Sequence, residues 1–340
     1  MAGKTESTAF SRDAEEEMEA PSGSRNTRLF LVKLLISALL FSTVLYTTDA
    51  TTVLQSLSQA NSLWLVAALA LNFVGSFFTA IRWGVLLREF RADISTRYLF
   101  RCWMIACFFN QLLPSTIGGD ARRIYDNWRL GIGKAASVAV IVVDRLLGLF
   151  ALLAFGVFAI YLTSIVFDDN LLIIFIVLCG IIALFLIGAW IFAPSNPVSK
   201  LIERMVDKLP SIFGKIFNKF NGALESYRGN YAVLGKGLTY SVLLQLNVIV
   251  FYSFIGRSIG IDLTFIDYML VIPVASVILL LPITINGIGL REGVFAMLLA
   301  TRGVTGEEGV AFALLSFALF LTFGMIGGLV FLASKHHERE

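Results

Sequence analysis

The chain has 340 residues, of which 57% are hydrophobic and 15% charged, whereas a soluble domain is about 45–50% apolar and about 25% charged. Most of it therefore belongs in lipid, and at about 20 apolar residues per crossing no length remains for a soluble catalytic domain of usual size. Lys and Arg total 27 against 24 Asp and Glu, yet six of those acids fall in the first 24 residues; beyond them bases outnumber acids by seven and cluster between apolar runs, which excludes nucleic acid as the natural partner and fits loops facing anionic lipid.

Residues 1–27 are read as a disordered acidic tail, since almost nothing there can offset its ordering entropy. Six apolar stretches are long enough to cross a bilayer: 29–47, 62–82, 135–165, 171–193, 237–256 and 309–333. The first lacks a small-residue cleavage site and is followed by further spans, so it reads as an anchor rather than a signal peptide. Two more regions, 98–130 and 265–301, begin apolar and break at Leu113-Pro114 and Leu281-Pro282 before Gly-rich polar sequence. Proline ends or kinks a helix, so each is expected to be a re-entrant hairpin of two half-helices.

Loops 48–61 and 166–170 hold no Lys or Arg, while bases crowd 88–134 and 194–230. With the positive side cytoplasmic, six crossings place both termini inside and let the hairpins enter from opposite faces. Residues 198–224 have helical amphipathic spacing around Pro210. They are either helices lying in the cytoplasmic interface or a linker packed on the domain. Residues 336–340 form the tail, with His336 and His337 solvated.

Aligned without a gap, residues 113–123 and 281–291 agree at six of eleven positions and share the skeleton Leu-Pro-x-Thr-Ile-x-Gly-x-x-x-Arg. In opposed orientation this is an inverted repeat, the arrangement in which interrupted helices of secondary transporters meet at a substrate site. Unwound backbone is tolerated in a membrane only inside protein or beside a water-filled cavity, so a polar path is implied. Pro114 and Pro282 end the helices, Thr116 and Thr284 can cap freed backbone groups, and Gly118, Gly119, Gly287 and Gly289 permit close approach. Half-helices starting after the glycines aim amide ends inward, and Arg122, Arg123 or Arg291 can add charge for a phosphate. The bland alternative is a Pro-Gly kink satisfied by neighbouring helices.

Asp144 and Arg145 lie in an apolar stretch, where each ionised residue costs about 2.5–3.5 kcal/mol. Set about 100° apart on a helix, they are expected to pair with other elements: Arg122, Arg123, Arg291 or Glu292. A structural ion pair and a substrate contact are both open. Asn110 and Gln111 could bind a headgroup or satisfy the broken backbone. Asn72, Gln245 and Asn247 read as interhelical glue, and Arg82 with Trp83 as an interfacial anchor. Cys102, Cys107 and Cys179 are read as buried hydrophobes. No metal set, Walker lysine loop or nucleophile elbow occurs, so no metal or cofactor is expected, and an ATP-driven pump would need a partner chain.

The run from Phe108 to Arg123, followed by Asp144-Arg145 and by Pro282 to Glu292, resembles the transmembrane, flippase-like domain family of lysylphosphatidylglycerol synthases. The resemblance covers about residues 28–335 and implies an all-α polytopic membrane domain. In that family the domain is held to move a lipid between leaflets and can be fused to a cytosolic aminoacyl-transferring module. No such module is expected here, so the synthase activity is not carried over. The resemblance implies that Asn110, Gln111, Pro114, Thr116, Gly118, Gly119, Asp120, Arg122, Arg123, Asp144, Arg145, Asn286, Gly287, Gly289, Arg291 and Glu292 form the recurrent polar set. It leads to a lipid translocase of a bacterial inner membrane handling anionic headgroups, alone or beside a separately encoded lipid-modifying enzyme, with the oligomeric state open. Two further classes stand against it: a membrane enzyme acting on a lipid-phosphate donor with Asp120, Asp144 or Glu292 as base, and a membrane-embedded regulator acting through 198–224.

Overall fold

The computed structural model describes residues 23–91, 94–112, 117–163, 222, 225–227, 230–281 and 283–337. The expectations for Pro114, Thr116, Pro282, the stretch 171–193, nearly all of 198–224 and most of the N-terminal tail lie outside these residues. The described part is all helical, in ten helices: α1 Gly23–Thr47, α2 Ala50–Ser58, α3 Ser62–Leu87, α4 Thr96–Leu112, α5 Ile117–Arg129, α6 Lys134–Thr163, α7 Tyr231–Ser258, α8 Phe265–Leu279, α9 Leu290–Ala300 and α10 Gly306–His337. Four of them, α3, α6, α7 and α10, are long and apolar enough to cross a membrane. The described apolar part of α1 runs from Leu31 to Val44. This is a polytopic membrane protein.

Helix ends follow local chemistry. Asp49 starts α2 by accepting hydrogen bonds from the Thr51 amide (2.9 Å) and hydroxyl (2.7 Å). Those bonds hold its carboxyl below the ordinary carboxylate range. Asn61 caps α3, and Thr264 with Asp267 forms a reciprocal capping box on α8.

The pairs α3 with α7 and α4 with α10 pack over long lengths. Small residues let them: a Cβ on Gly75 would stand 2.5 Å from Asn247 Oδ1 on α7, and one on Gly327 of α10 would collide with the Met104 carbonyl of α4. One core gathers α7, α8, α9 and α10 around Phe251, Tyr252, Tyr268, Phe295 and Phe312. A second lies under α3, α4 and α6 around Trp83, Leu86, Leu99 and Val140. The exposed apolar side chains Leu35, Leu39, Val66, Met325 and Leu329 lie on α1, α3 and α10, the surface a bilayer covers.

Each interrupted region comprises two helices that touch each other, α4 with α5 and α8 with α9. The start of α5 departs from the expectation that the half-helices begin after the glycines, and the start of α9 meets it. Gly118 and Gly119 lie inside the first turn of α5, whereas α9 begins at Leu290, after Gly287 and Gly289. The reason is backbone conformation: Asn286, Gly287 and Gly289 all have φ between 52° and 81°, which a right-handed helix does not accommodate.

Candidate functional site

Three helices converge on Asp144. It sits ten residues into α6, which starts at Lys134, hence about 15 Å along the axis. Arg82 of α3 donates from Nε to Oδ1 at 2.6 Å, and Arg123 of α5 donates from Nη2 to Oδ2 at 3.0 Å. Arg82 also reaches Ser241 Oγ on α7 at 2.9 Å. Gly148, one turn beyond Asp144, leaves room for that guanidinium; a Cβ there would lie 3.3 Å from Arg82 Nη1. All three charged groups are buried, which is tolerable only because each is paired. Arg82 and Trp83 are therefore not an interfacial anchor. Arg82 belongs to a stripe on α3, Asn72, Gly75, Ser76, Thr79 and Arg82, that faces a cavity.

Asp120 extends the network. Arg145 binds it bidentately, Nη2 to Oδ1 at 2.8 Å and Nε to Oδ2 at 3.1 Å, and Arg123 Nη1 stands 3.7 Å away. Thus Asp144 and Arg145 pair with other elements and not with each other, as their helical spacing predicts, and neither pairs with Arg291 or Glu292. The Arg123 guanidinium lies over two indoles, 4.6 Å from the Trp83 centroid and 5.1 Å from that of Trp103. Arg122 is bound to Asp126 one turn on, at 3.0 Å.

The breaks are held by amide and carboxylate side chains. Asn110 Oδ1 accepts from the Gly119 amide at 2.7 Å. In the second region the Ile285 amide donates to Ser37 Oγ of α1 at 2.9 Å, and the Gly289 amide donates to Glu292 at 2.7 Å. The cap expected of Thr284 is thus taken by other residues at these amides. The two breaks meet directly: Asn286 Nδ2 donates to the Gln111 carbonyl at 3.1 Å.

Two cavities adjoin at this junction, sharing Asn72, Ser76, Trp103, Leu280 and Phe320 in their walls. The larger, about 330 Å³, is lined by Arg82, Arg123, Asp144, Arg145 and Gln245. The other, about 310 Å³, takes Asn110 and Gln111 from the first break and Thr284, Asn286, Gly287 and Arg291 from the second. Arg291 has no carboxylate partner among the described residues; its guanidinium stands 5.6 Å and 5.8 Å from the Phe320 and Phe317 centroids. Gly118, Gly119, Asp120, Arg122, Gly289 and Glu292 line neither cavity. They shape the breaks and balance charge instead.

Sequence reading misassigned Arg82 and passed over Ser76, Thr79 and Ser241. The signal was helical spacing: the polar side chains Asn72, Ser76, Thr79 and Arg82 recur every three or four residues through an apolar run, as do Ser241 and Gln245. Asn72 and Gln245 are not simple glue, because the side-chain nitrogen of each has no partner among the described residues.

The sequence pattern of the family described as the lysylphosphatidylglycerol synthase TM region matches residues 30–328. A protein named UPF0104 membrane protein from Methanothermobacter thermautotrophicus is 23% identical over 278 residues, covering 75% of this chain and 80% of its own. A UPF0104 membrane protein from Pyrococcus horikoshii is 23% identical over 304 residues, covering 82% and 89%.

Proposed function

Because the chain belongs to the lysylphosphatidylglycerol synthase transmembrane family, we propose that it is a lipid translocase, and that the two breaks, entering the bilayer from opposite faces as an inverted repeat, hold the headgroup of an anionic phospholipid between them. The observation that carries this reading is the cavity of about 310 Å³ built from both breaks, with Arg291 in its wall and no carboxylate among its described lining residues. A guanidinium without an acid in a low-dielectric wall is a strong phosphate site. Asn286, Gln111, Asn110 and Thr284 surround it with polar groups, while the acyl chains stay in lipid. The Asp144 cluster acts as the rigid post against which the first break is fixed. The distribution of basic residues between the apolar runs supports a cytoplasmic position for both termini, and in a bacterial cell the inner membrane as the site of action.

The enzyme alternative has less support: Asp120 and Asp144 are each held by arginines and Glu292 caps the Gly289 amide, so each of its three candidate bases is engaged.

The test is movement of a fluorescent anionic phospholipid in proteoliposomes, read by quenching from outside. Wild-type protein should expose the inner-leaflet label, and Arg291→Ala should suppress this while keeping its thermal melting point. Equal movement by both proteins, or a covalently altered lipid found by mass spectrometry, would reject the mechanism.

A further inference from the structure

Asn72, Ser76, Trp103, Leu280 and Phe320 border both cavities, so they stand between the chamber built from the breaks and the chamber of the Asp144 cluster. Two of the five are aromatic, Trp103 on α4 and Phe320 on α10, and neither is fully buried. Each ring therefore keeps accessible surface at the place where the two spaces meet. Each also lies under the arginine that ends one copy of the repeated skeleton: Arg123 stands 5.1 Å from the Trp103 centroid, and Arg291 stands 5.6 Å from that of Phe320. The two supports differ. Arg123 is also stacked over Trp83 and is bonded to Asp144 at 3.0 Å, so the Trp103 indole rests against a pinned charge. Arg291 has no carboxylate partner among the described residues and lines a cavity itself. Its hold on Phe320 is the attraction of a cation for a ring face, which is weaker than a charge-assisted bidentate bond to a phosphate. A phosphate at Arg291 draws the guanidinium off the ring. What then holds Phe320 is packing on Phe251 and Tyr252, with centroids 5.3 Å and 6.4 Å away.

Resting on the translocase reading, we propose that Trp103 and Phe320 set which headgroups cross between the chambers. They form an aromatic constriction in which Trp103 is the fixed leaf and Phe320 is the leaf released when a headgroup phosphate takes Arg291. The release is a difference in contacts between two states: Arg291 steadies Phe320 in the empty protein and binds the ligand instead in the loaded one. Selection at this point is by bulk, because two large rings stand among three smaller side chains and the passage is as wide as the Phe320 leaf allows.

The experiment has two arms. In the first, para-fluorophenylalanine is placed at position 320 of the full chain by stop-codon suppression, and its fluorine NMR signal is followed in detergent as phosphatidylglycerol is added. The signal should shift or split, and this response should be lost in Arg291→Ala. A signal unmoved by the lipid, or moved equally in folded Arg291→Ala, overturns the release of Phe320. In the second, proteoliposomes carry fluorescent phosphatidylglycerol or phosphatidylinositol, alike in charge and different in headgroup bulk. Wild-type protein should move phosphatidylglycerol about tenfold faster, and Phe320→Leu should bring the two rates within about threefold. A rate ratio unchanged in folded Phe320→Leu overturns the constriction. The arms separate the two ideas. A fluorine response through Arg291 without movement of either lipid rejects translocation and upholds the release of Phe320. Movement of both lipids at one rate, with the fluorine signal unmoved, upholds translocation and rejects the constriction.

Discussion

The two breaks share a skeleton and differ in what surrounds its last residue. Arg123 closes the first copy: it is 1% exposed, bonded to Asp144, near Asp120 and stacked over Trp83 and Trp103. Arg291 closes the second copy, where it rests on two phenylalanine rings beside a cavity and has no acid partner among the described residues. One arginine has become part of the frame and its counterpart remains available to a ligand. The backbone shows the same division. The first break passes into α5 with glycines inside its opening turn, whereas the second holds three residues at positive φ before α9 begins. A duplicated motif can thus keep its sequence skeleton while its two charges take different duties.

Substitutions that break the comparison should act at different levels. The largest effect is expected from Asp144→Asn, which leaves Arg82 buried without its counter-charge and Arg123 with only Asp120, 3.7 Å away; removing one partner of such a group costs about 3–5 kcal/mol, so folded yield and melting temperature in detergent should fall sharply. Arg291→Ala should instead spare the melting temperature and slow lipid movement roughly ten- to hundredfold, the equivalent of about 1.5–3 kcal/mol for a charge-assisted contact. Asn110→Ala removes the acceptor of the Gly119 amide and should lower stability by about 1–3 kcal/mol, readable in chemical unfolding. The smallest effect is expected for Gly287→Ala, where the Cβ would make ordinary van der Waals contact with the Arg291 guanidinium and Leu279, the nearest atom being 3.6 Å away, but φ is +80°. The left-handed backbone costs about 1–2 kcal/mol for a residue with a side chain. A stability loss in Arg291→Ala as large as that in Asp144→Asn would erase the distinction between the two arginines.

The helical class and most element limits were legible because hydropathy and proline act locally. The stretch 135–165 becomes α6 at Lys134–Thr163, and the region 265–301 divides into α8 and α9. The internal repeat also pointed to Arg123 and Arg291 as counterparts. What stayed illegible was long-range pairing. The contact of Arg82 with Asp144 joins residues 62 apart, and nothing local distinguishes an arginine at a helix end that snorkels from one that turns inward. The Ser37 hydrogen bond to Ile285 spans 248 positions and depends on α1 lying against α9. Sequence could say that Asp144 needs a partner, but only packing could choose Arg82 over Arg291.

A transport site of this kind requires both breaks to border one cavity. The most direct measurement is cross-linking of Gln111→Cys with Asn286→Cys, in a background whose native cysteines are replaced, using a short bifunctional thiol reagent on membranes. Efficient cross-linking that is blocked by prior addition of phosphatidylglycerol and absent from either single variant is the predicted result. If folded double-cysteine protein gave no cross-link under any lipid condition, the shared cavity, and the transport site built on it, would be contradicted.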